Sequence, residues 1–140
     1  KAIVKACREF QKTKTGAIIV ITQTDDLSFI CENAVQIDSK ISYPLIESIF
    51  YKNSPLHDGA IVIRNNRIVA ARCILPVTND DDFPGELGMR HRAAVGVSEY
   101  SDALTIIISE QNGKISSAHN GKIRVDLSEI QLRNVINKLN

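Results

Sequence analysis

The sequence predicts an α/β fold, a single domain with a central mixed β-sheet flanked by helices on both faces. Short apolar runs rich in β-branched residues, Ala17 to Ile21, Ala60 to Arg64 and Leu104 to Ser109, are too short for helices and read as buried strands. These runs alternate with segments of helical periodicity and also with tight-turn signals such as Asn65-Asn66, so crossovers and hairpins share one sheet.

From Ala2 to Phe10 the apolar residues fall at positions 2, 3, 6, 7 and 10, the spacing of one helical face, and Gly16 offers a stop after a basic last turn. Ala17 to Ile21 follows as a strand, with a weaker strand near Ala34 to Ile37. Ser42 can cap a helix from Tyr43 to Tyr51, with Pro44 in the first turn, where a missing N–H costs nothing. Ala60 to Arg64 and Arg67 to Cys73 form a hairpin about Asn65 and Asn66, which tolerate positive φ. Thr78 to Glu86, including Asp80, Asp81 and Asp82, has the composition of a solvated loop. Met89 to Ser98 reads as a helix and Leu104 to Ser109 as a strand turning at Asn112-Gly113 into Lys114 to Ala118. Asn120-Gly121 turns into a short strand, Ile123 to Val125, and Asp126 with Glu129 gives a capping-box start for a final helix through Leu139.

At 140 residues and 44% hydrophobic, the chain buries about two-thirds of its unfolded surface in one core, so residues 1–140 are expected to be one domain. Lys and Arg total 17 against 16 Asp and Glu, which excludes a general field for nucleic acid or an anionic membrane. Cys7, Cys31 and Cys73 are odd in number and form no CxxC pair, so they are expected to be reduced core residues in a cytosolic compartment. No apolar run approaches the roughly 18 to 20 residues that span a bilayer. The chain opens inside a helical pattern with no initiator Met, and the expectation is a soluble fragment of something longer.

Two segments concentrate polar groups where the chain should turn. In His57-Asp58-Gly59-Ala60 an acid and an imidazole precede a buried strand, and Gly59 permits close approach of a ligand. Asp58 can hold Mg²⁺ or Mn²⁺ through oxygen, the imidazole favouring Mn²⁺, or it can simply cap a turn beside a solvated His57. In Arg90-His91-Arg92 two guanidiniums flank a histidine at a helix start, where free N–H groups also attract anions. Cations are unfavourable there unless something negative compensates, which points to a phosphate clamp; the alternative is a basic turn paired with Glu86 or Glu99. Glu110, just past a buried strand, is a further candidate, and His119 reads as a surface residue.

Together, Ser54-Pro-Leu-His-Asp-Gly-Ala60, Leu87-Gly-Met-Arg-His-Arg-Ala-Ala94, Ser98-Glu99, Ser101-Asp-Ala-Leu-Thr105 and Ser109-Glu110 resemble the diadenylate cyclase (DAC, or DisA N-terminal) domain over almost the whole chain. Within that family the chain is most similar to the membrane-tethered CdaA type, in which transmembrane helices precede the catalytic domain. The resemblance implies an enzyme that condenses two ATP into cyclic di-AMP plus two pyrophosphates, with Mn²⁺ or Mg²⁺, in a transient symmetric dimer. It assigns Asp58 to metal binding and activation of the ribose 3′-hydroxyl, with Gly59 and Ala60 shaping the loop and His57 as an added metal ligand. Arg90, His91 and Arg92 would hold the triphosphate, the backbone near Leu75 would meet the adenine, and Glu110 would complete the metal or phosphate surroundings. It also implies a YbbR-domain regulator and phosphoglucosamine mutase as partners, no nucleic acid, and a cytoplasmic domain anchored to the cell membrane. Many members have Thr where this chain has Met89, which removes one hydroxyl from the phosphate side. A domain that senses ATP or cyclic di-AMP without making it is the competing class, and the intact Asp58, Arg90 and Arg92 weigh against it.

Overall fold

A computed structural model describes residues 2–79, 83–85 and 87–139, so the predicted Asp80 to Asp82 loop and Glu86 lie outside the described residues. Its elements are α1 (Ala2–Thr13), β1 (Ala17–Ile21), α2 (Ser28–Cys31), β2 (Val35–Lys40), α3 (Tyr43–Phe50), β3 (Ala60–Arg64) and β4 (Arg67–Cys73). They continue as α4 (Met89–Tyr100), β5 (Leu104–Ile108), β6 (Ile115–His119), β7 (Lys122–Arg124) and α5 (Glu129–Asn137). Seven strands form one sheet in the order β2-β4-β3-β1-β5-β6-β7. Only β1 and β3 pair in parallel; each of the other neighbours is antiparallel, which makes the sheet mixed.

Alternation along the central strands sorts the core into two layers. Ala17, Ile19, Ile61, Ile63, Ile106 and Ile108 pack with α1, α3 and α5 on one face. Ile18, Val20, Ala60, Val62 and Cys73 meet α2 and α4 on the other. The three cysteines are buried and free, as the sequence predicts. Burial pushes the Cys7 and Cys73 thiols up to about 12, so they remain protonated core atoms.

Local signals place most elements. Ser42 Oγ accepts the Leu45 N–H at 3.1 Å, the expected cap of α3. Asn65 and Asn66 take φ of 51° and 63°, the mirror-image turn of a two-residue hairpin. Two expectations need correction. α1 stops at Lys14, which takes φ 54° while the Thr15 N–H donates to Phe10 O at 3.0 Å, so the left-handed residue of the stop is a lysine and not Gly16. The capping box of α5 is Ser128 with Gln131, not Asp126 with Glu129: Ser128 Oγ accepts the Gln131 N–H and Gln131 Oε1 accepts the Ser128 N–H.

Asp102, in the turn between α4 and β5, ties that turn to the loop after β1. Its carboxylate accepts from the Thr24 hydroxyl and from the Thr24 and Asp25 N–H groups. These bonds, the hydroxyl's foremost, hold its pKa below the usual carboxylate range.

Candidate active site

At one end of the sheet β1 and β3 begin while β4 and β5 finish, so the loops flanking these four strands meet. A cavity of about 760 Å³ opens there, a size that suits a nucleotide-like ligand. Its walls come from Asp58-Gly59, the Arg72 to Leu75 segment, the first turn of α4 and the loop after β5.

Gly59 joins the Asp58 turn to β3 at φ 92°, and a Cβ there would stand 2.8 Å from Cys73 O, so only glycine lets this loop lie against the end of β4. Opposite it, β4 carries a bulge: Ala60 pairs with Cys73 and Val62 with Ala70, and Arg72 takes φ 57°. The bulge turns the exposed Arg72 to the cavity rim. Asp58 itself is exposed and lines the cavity, with no hydrogen bond or ion pair among the described residues.

α4 begins at Met89 with Gly88 as its N-cap and no side-chain cap, and Gly88 to His91 line the cavity. The free N–H groups of that first turn therefore face a space that can take an anion. Arg90 Nη1 pairs with Glu110 Oε1 at 3.2 Å, joining α4 to the end of β5. The opposite cavity wall approaches α4 so closely that a Cβ on Gly96 would overlap Pro76 O, at 1.9 Å. His91 is buried, and its Nδ1 has no hydrogen-bond partner among the described residues. Burial, reinforced by the Arg90 charge, lowers its pKa, so the ring is neutral at pH 7. An orphaned buried nitrogen beside a cavity is a group that a ligand can satisfy.

The structure thus brings Asp58, Gly59, Leu75, Arg90, His91 and Glu110 to one cavity. Ala60, His57 and Arg92 stand off its lining. Ala60 is buried in β3. Arg92 lays its guanidinium over the Phe83 ring at 4.7 Å, and its carbonyl accepts the Thr78 N–H at 3.1 Å. His57 Nδ1 donates to Ser54 O at 2.8 Å, which leaves Nε2 with the lone pair when the ring is neutral. Glu99 accepts from the Thr78 hydroxyl at 2.9 Å and pairs with neither Arg90 nor Arg92 among the described residues. His119 lies at the far end of β6, within 3.4 Å of Gln23 Nε2.

Sequence reasoning missed Arg72, Ser109, Gln111, Asn112, Lys114 and Ser116, all of which line the cavity. Arg72 is aimed by a bulge, and the others gather only when β5 and β6 pair. Among the described lining residues, Arg72, Arg90 and Lys114 face two carboxylates, Asp58 and Glu110. The excess of cations suits a polyphosphate. No three described His, Cys, Asp or Glu side chains cluster as a metal cage. One free carboxylate with a neighbouring imidazole fits a divalent cation that takes its remaining ligands from phosphates and water, the usual mode for Mg²⁺. Among the described residues no helix is long and apolar enough to cross a membrane.

Residues 4–123 match the family model described as DAC, DisA bacterial checkpoint controller nucleotide-binding. The chain is 41% identical over 136 residues to the cyclic di-AMP synthase CdaA of Bacillus subtilis, which covers 97% of this chain and 50% of the relative. It is 37% identical over 138 residues to a diadenylate cyclase of Listeria monocytogenes, covering 99% of this chain and 50% of the relative. This chain therefore spans about half the length of these relatives. The crystal structure of DacA from Staphylococcus aureus superposes with a TM-score of 0.96 at 39% identity, covering 98% of this chain and 91% of that one. A protein described as a hypothetical membrane spanning protein from Bacillus cereus superposes at 0.86 with 41% identity, covering 90% and 62%.

Proposed function

Because this chain belongs to the DAC family of nucleotide-binding domains, we propose that it joins two ATP molecules into cyclic di-AMP and releases two pyrophosphates. The observation that carries the reading is the convergence of the Asp58 carboxylate, the Arg90 guanidinium and the uncapped first turn of α4 on one cavity. An adenine enters past the Arg72 to Leu75 wall, where backbone groups at the end of β4 are free of the ladder. The triphosphate lies along α4, meeting its N–H groups, the Arg90 fork and the neutral His91 ring. Arg72 and Lys114 add charge at the rim.

Asp58, with His57 as a further ligand, would hold a divalent cation, Mn²⁺ or Mg²⁺. That cation, when bound, lowers the pKa of an attacking hydroxyl and neutralises phosphate charge. Asp58 orients the ribose 3′-hydroxyl, which gives its proton to water as its oxygen bonds to the α-phosphorus of the second nucleotide and that phosphorus releases pyrophosphate. Arg90 stabilises the charge that gathers on the departing pyrophosphate. Glu110 pairs with Arg90 and keeps its fork at the cavity wall where the phosphates meet it.

The product is two-fold symmetric, so a pair of domains facing each other, each with one ATP, places both hydroxyls for in-line attack with a single kind of site. Ile74, Val77, Met89 and Val125, exposed apolar side chains around the cavity, support such a face. The reading extends to the partners the family resemblance implies, a YbbR-domain regulator and phosphoglucosamine mutase, and to attachment of the full-length protein at the cell membrane.

The test is to incubate the chain with ATP and Mn²⁺ or Mg²⁺ and assay cyclic di-AMP by mass. Wild type should make it, whereas Asp58→Asn should keep ATP affinity within about threefold while losing at least 10²-fold in product, roughly the size of a lost transition-state contact. Near-normal synthesis by Asp58→Asn would remove the carboxylate from the mechanism. ATP binding without product in the wild type would make the domain a sensor.

A further inference from the structure

We propose that Gly16 is a positioning residue for this reaction, because its missing side chain makes the seat in which the Arg90 guanidinium lies. A Cβ built on Gly16 would stand 2.5 Å from Arg90 Cζ, 2.7 Å from Nη1 and 2.8 Å from Nη2. All three are closer than side-chain atoms approach one another, so the guanidinium rests directly on the backbone just before β1. Its Nη1 also meets Glu110 Oε1 at 3.2 Å. The seat and the carboxylate sit on adjacent strands at the same sheet end, since Ala17 pairs with Ile108. Arg90 thus has both the Gly16 backbone and the Glu110 carboxylate as neighbours, with 28% of its side chain exposed, and it lines the cavity.

Nothing else in the backbone asks for glycine here. The described glycines with positive φ are Gly59, Gly113 and Gly121, so position 16 lies outside the left-handed region that favours glycine. The helix stop that the sequence assigned to Gly16 is made by Lys14. The three atoms nearest an added methyl therefore all belong to a movable group, the far end of a long arginine. The fold yields at Arg90, and the guanidinium swings off its seat and away from the phosphates. Removing a glycine at a compatible position also restricts the unfolded chain, which does not lower stability.

The inference rests on the reading that Arg90 holds the triphosphate, and a double-mutant cycle separates the two. Gly16→Ala, Arg90→Ala and the double variant are compared with wild type for ATP affinity by calorimetry, for kcat/KM of cyclic di-AMP formation and for Tm. Gly85→Ala serves as control, because a Cβ there meets nothing within 4 Å among the described residues. Gly16→Ala should lower ATP affinity and kcat/KM about tenfold with Tm unchanged or raised, and should add no further loss in the Arg90→Ala background. Equal losses in both backgrounds, or full affinity in Gly16→Ala, overturn the seat. Wild type that binds ATP but forms no product overturns the cyclase reading, while the affinity arm of the cycle still decides the role of Gly16.

Discussion

At position 91 an imidazole is buried beside the cavity with Nδ1 unpartnered among the described residues, and burial followed by the Arg90 charge lowers its pKa from 6.5. The unfolded chain therefore takes up this proton before the folded one does. Stability is complete above the unfolded value and declines as pH falls below it, levelling off beneath the folded pKa. Urea midpoints between pH 7.5 and 5.5 should fall with pH in wild type, and His91→Gln should flatten that slope. An unchanged slope would mean that His91 takes up its proton alike in the folded and unfolded chain. The same residue shows how far single positions could be read. Asp58 and Arg90 were legible because a charged group beside glycine, or a cation at a helix start, conflicts with local preference unless a ligand resolves it. Arg92 carries the same signal two positions along the helix, yet it lies over Phe83 and off the cavity lining. Which face of the first turn meets the cavity is set by how α4 packs, and a triplet does not encode that. Arg72 gave no signal, since a bulge depends on the partner strand.

Elements were the most legible scale where polar side chains mark the ends. Ser42, Asn65 and Asn66 do so locally and were read correctly. The start of α5 was placed two residues early because Asp126 and Glu129 mimic the spacing of Ser128 and Gln131, and only geometry shows which pair exchanges hydrogen bonds. The four-residue α2 has no full period to detect, and its preceding residue, Leu27, takes φ 55° with a fully buried side chain, an arrangement dictated by packing. The true cap makes a direct prediction. Ser128→Ala should cost about 1 kcal/mol of stability, read as a lower denaturant midpoint at unchanged slope, whereas Asp126→Gly, which removes the carboxylate at a φ of 57° that glycine tolerates, should cost less. The reverse order would restore the sequence assignment. Because α5 packs through Leu132 on the face away from the cavity, ATP affinity should be unaffected by either change.

For the whole molecule, mixed sheet and two-faced helix cover followed from apolar runs and hairpin signals, but strand order did not. Placing β1 between β3 and β5 is a non-local choice made by packing, and that choice assembles the cavity. It also leaves the cavity open at one end of the sheet, rimmed by exposed Ile74, Val77, Met89 and Val125. If each such cavity takes one ATP, the proposed reaction, which consumes two, needs two domains to meet. Occupancy of the pair then depends on the square of domain concentration until the pair saturates. At fixed saturating ATP, cyclic di-AMP formed per domain should rise with protein concentration over the dilute range and plateau above the dimer dissociation constant. ATP affinity measured on the same samples should stay constant, because each cavity is complete in its binding groups before pairing. Mixing wild type with excess Asp58→Asn should suppress product more than dilution alone, since mixed pairs have one hydroxyl without its holder. Specific activity independent of concentration, with no suppression on mixing, would place both nucleotides in one domain and rule out the facing pair.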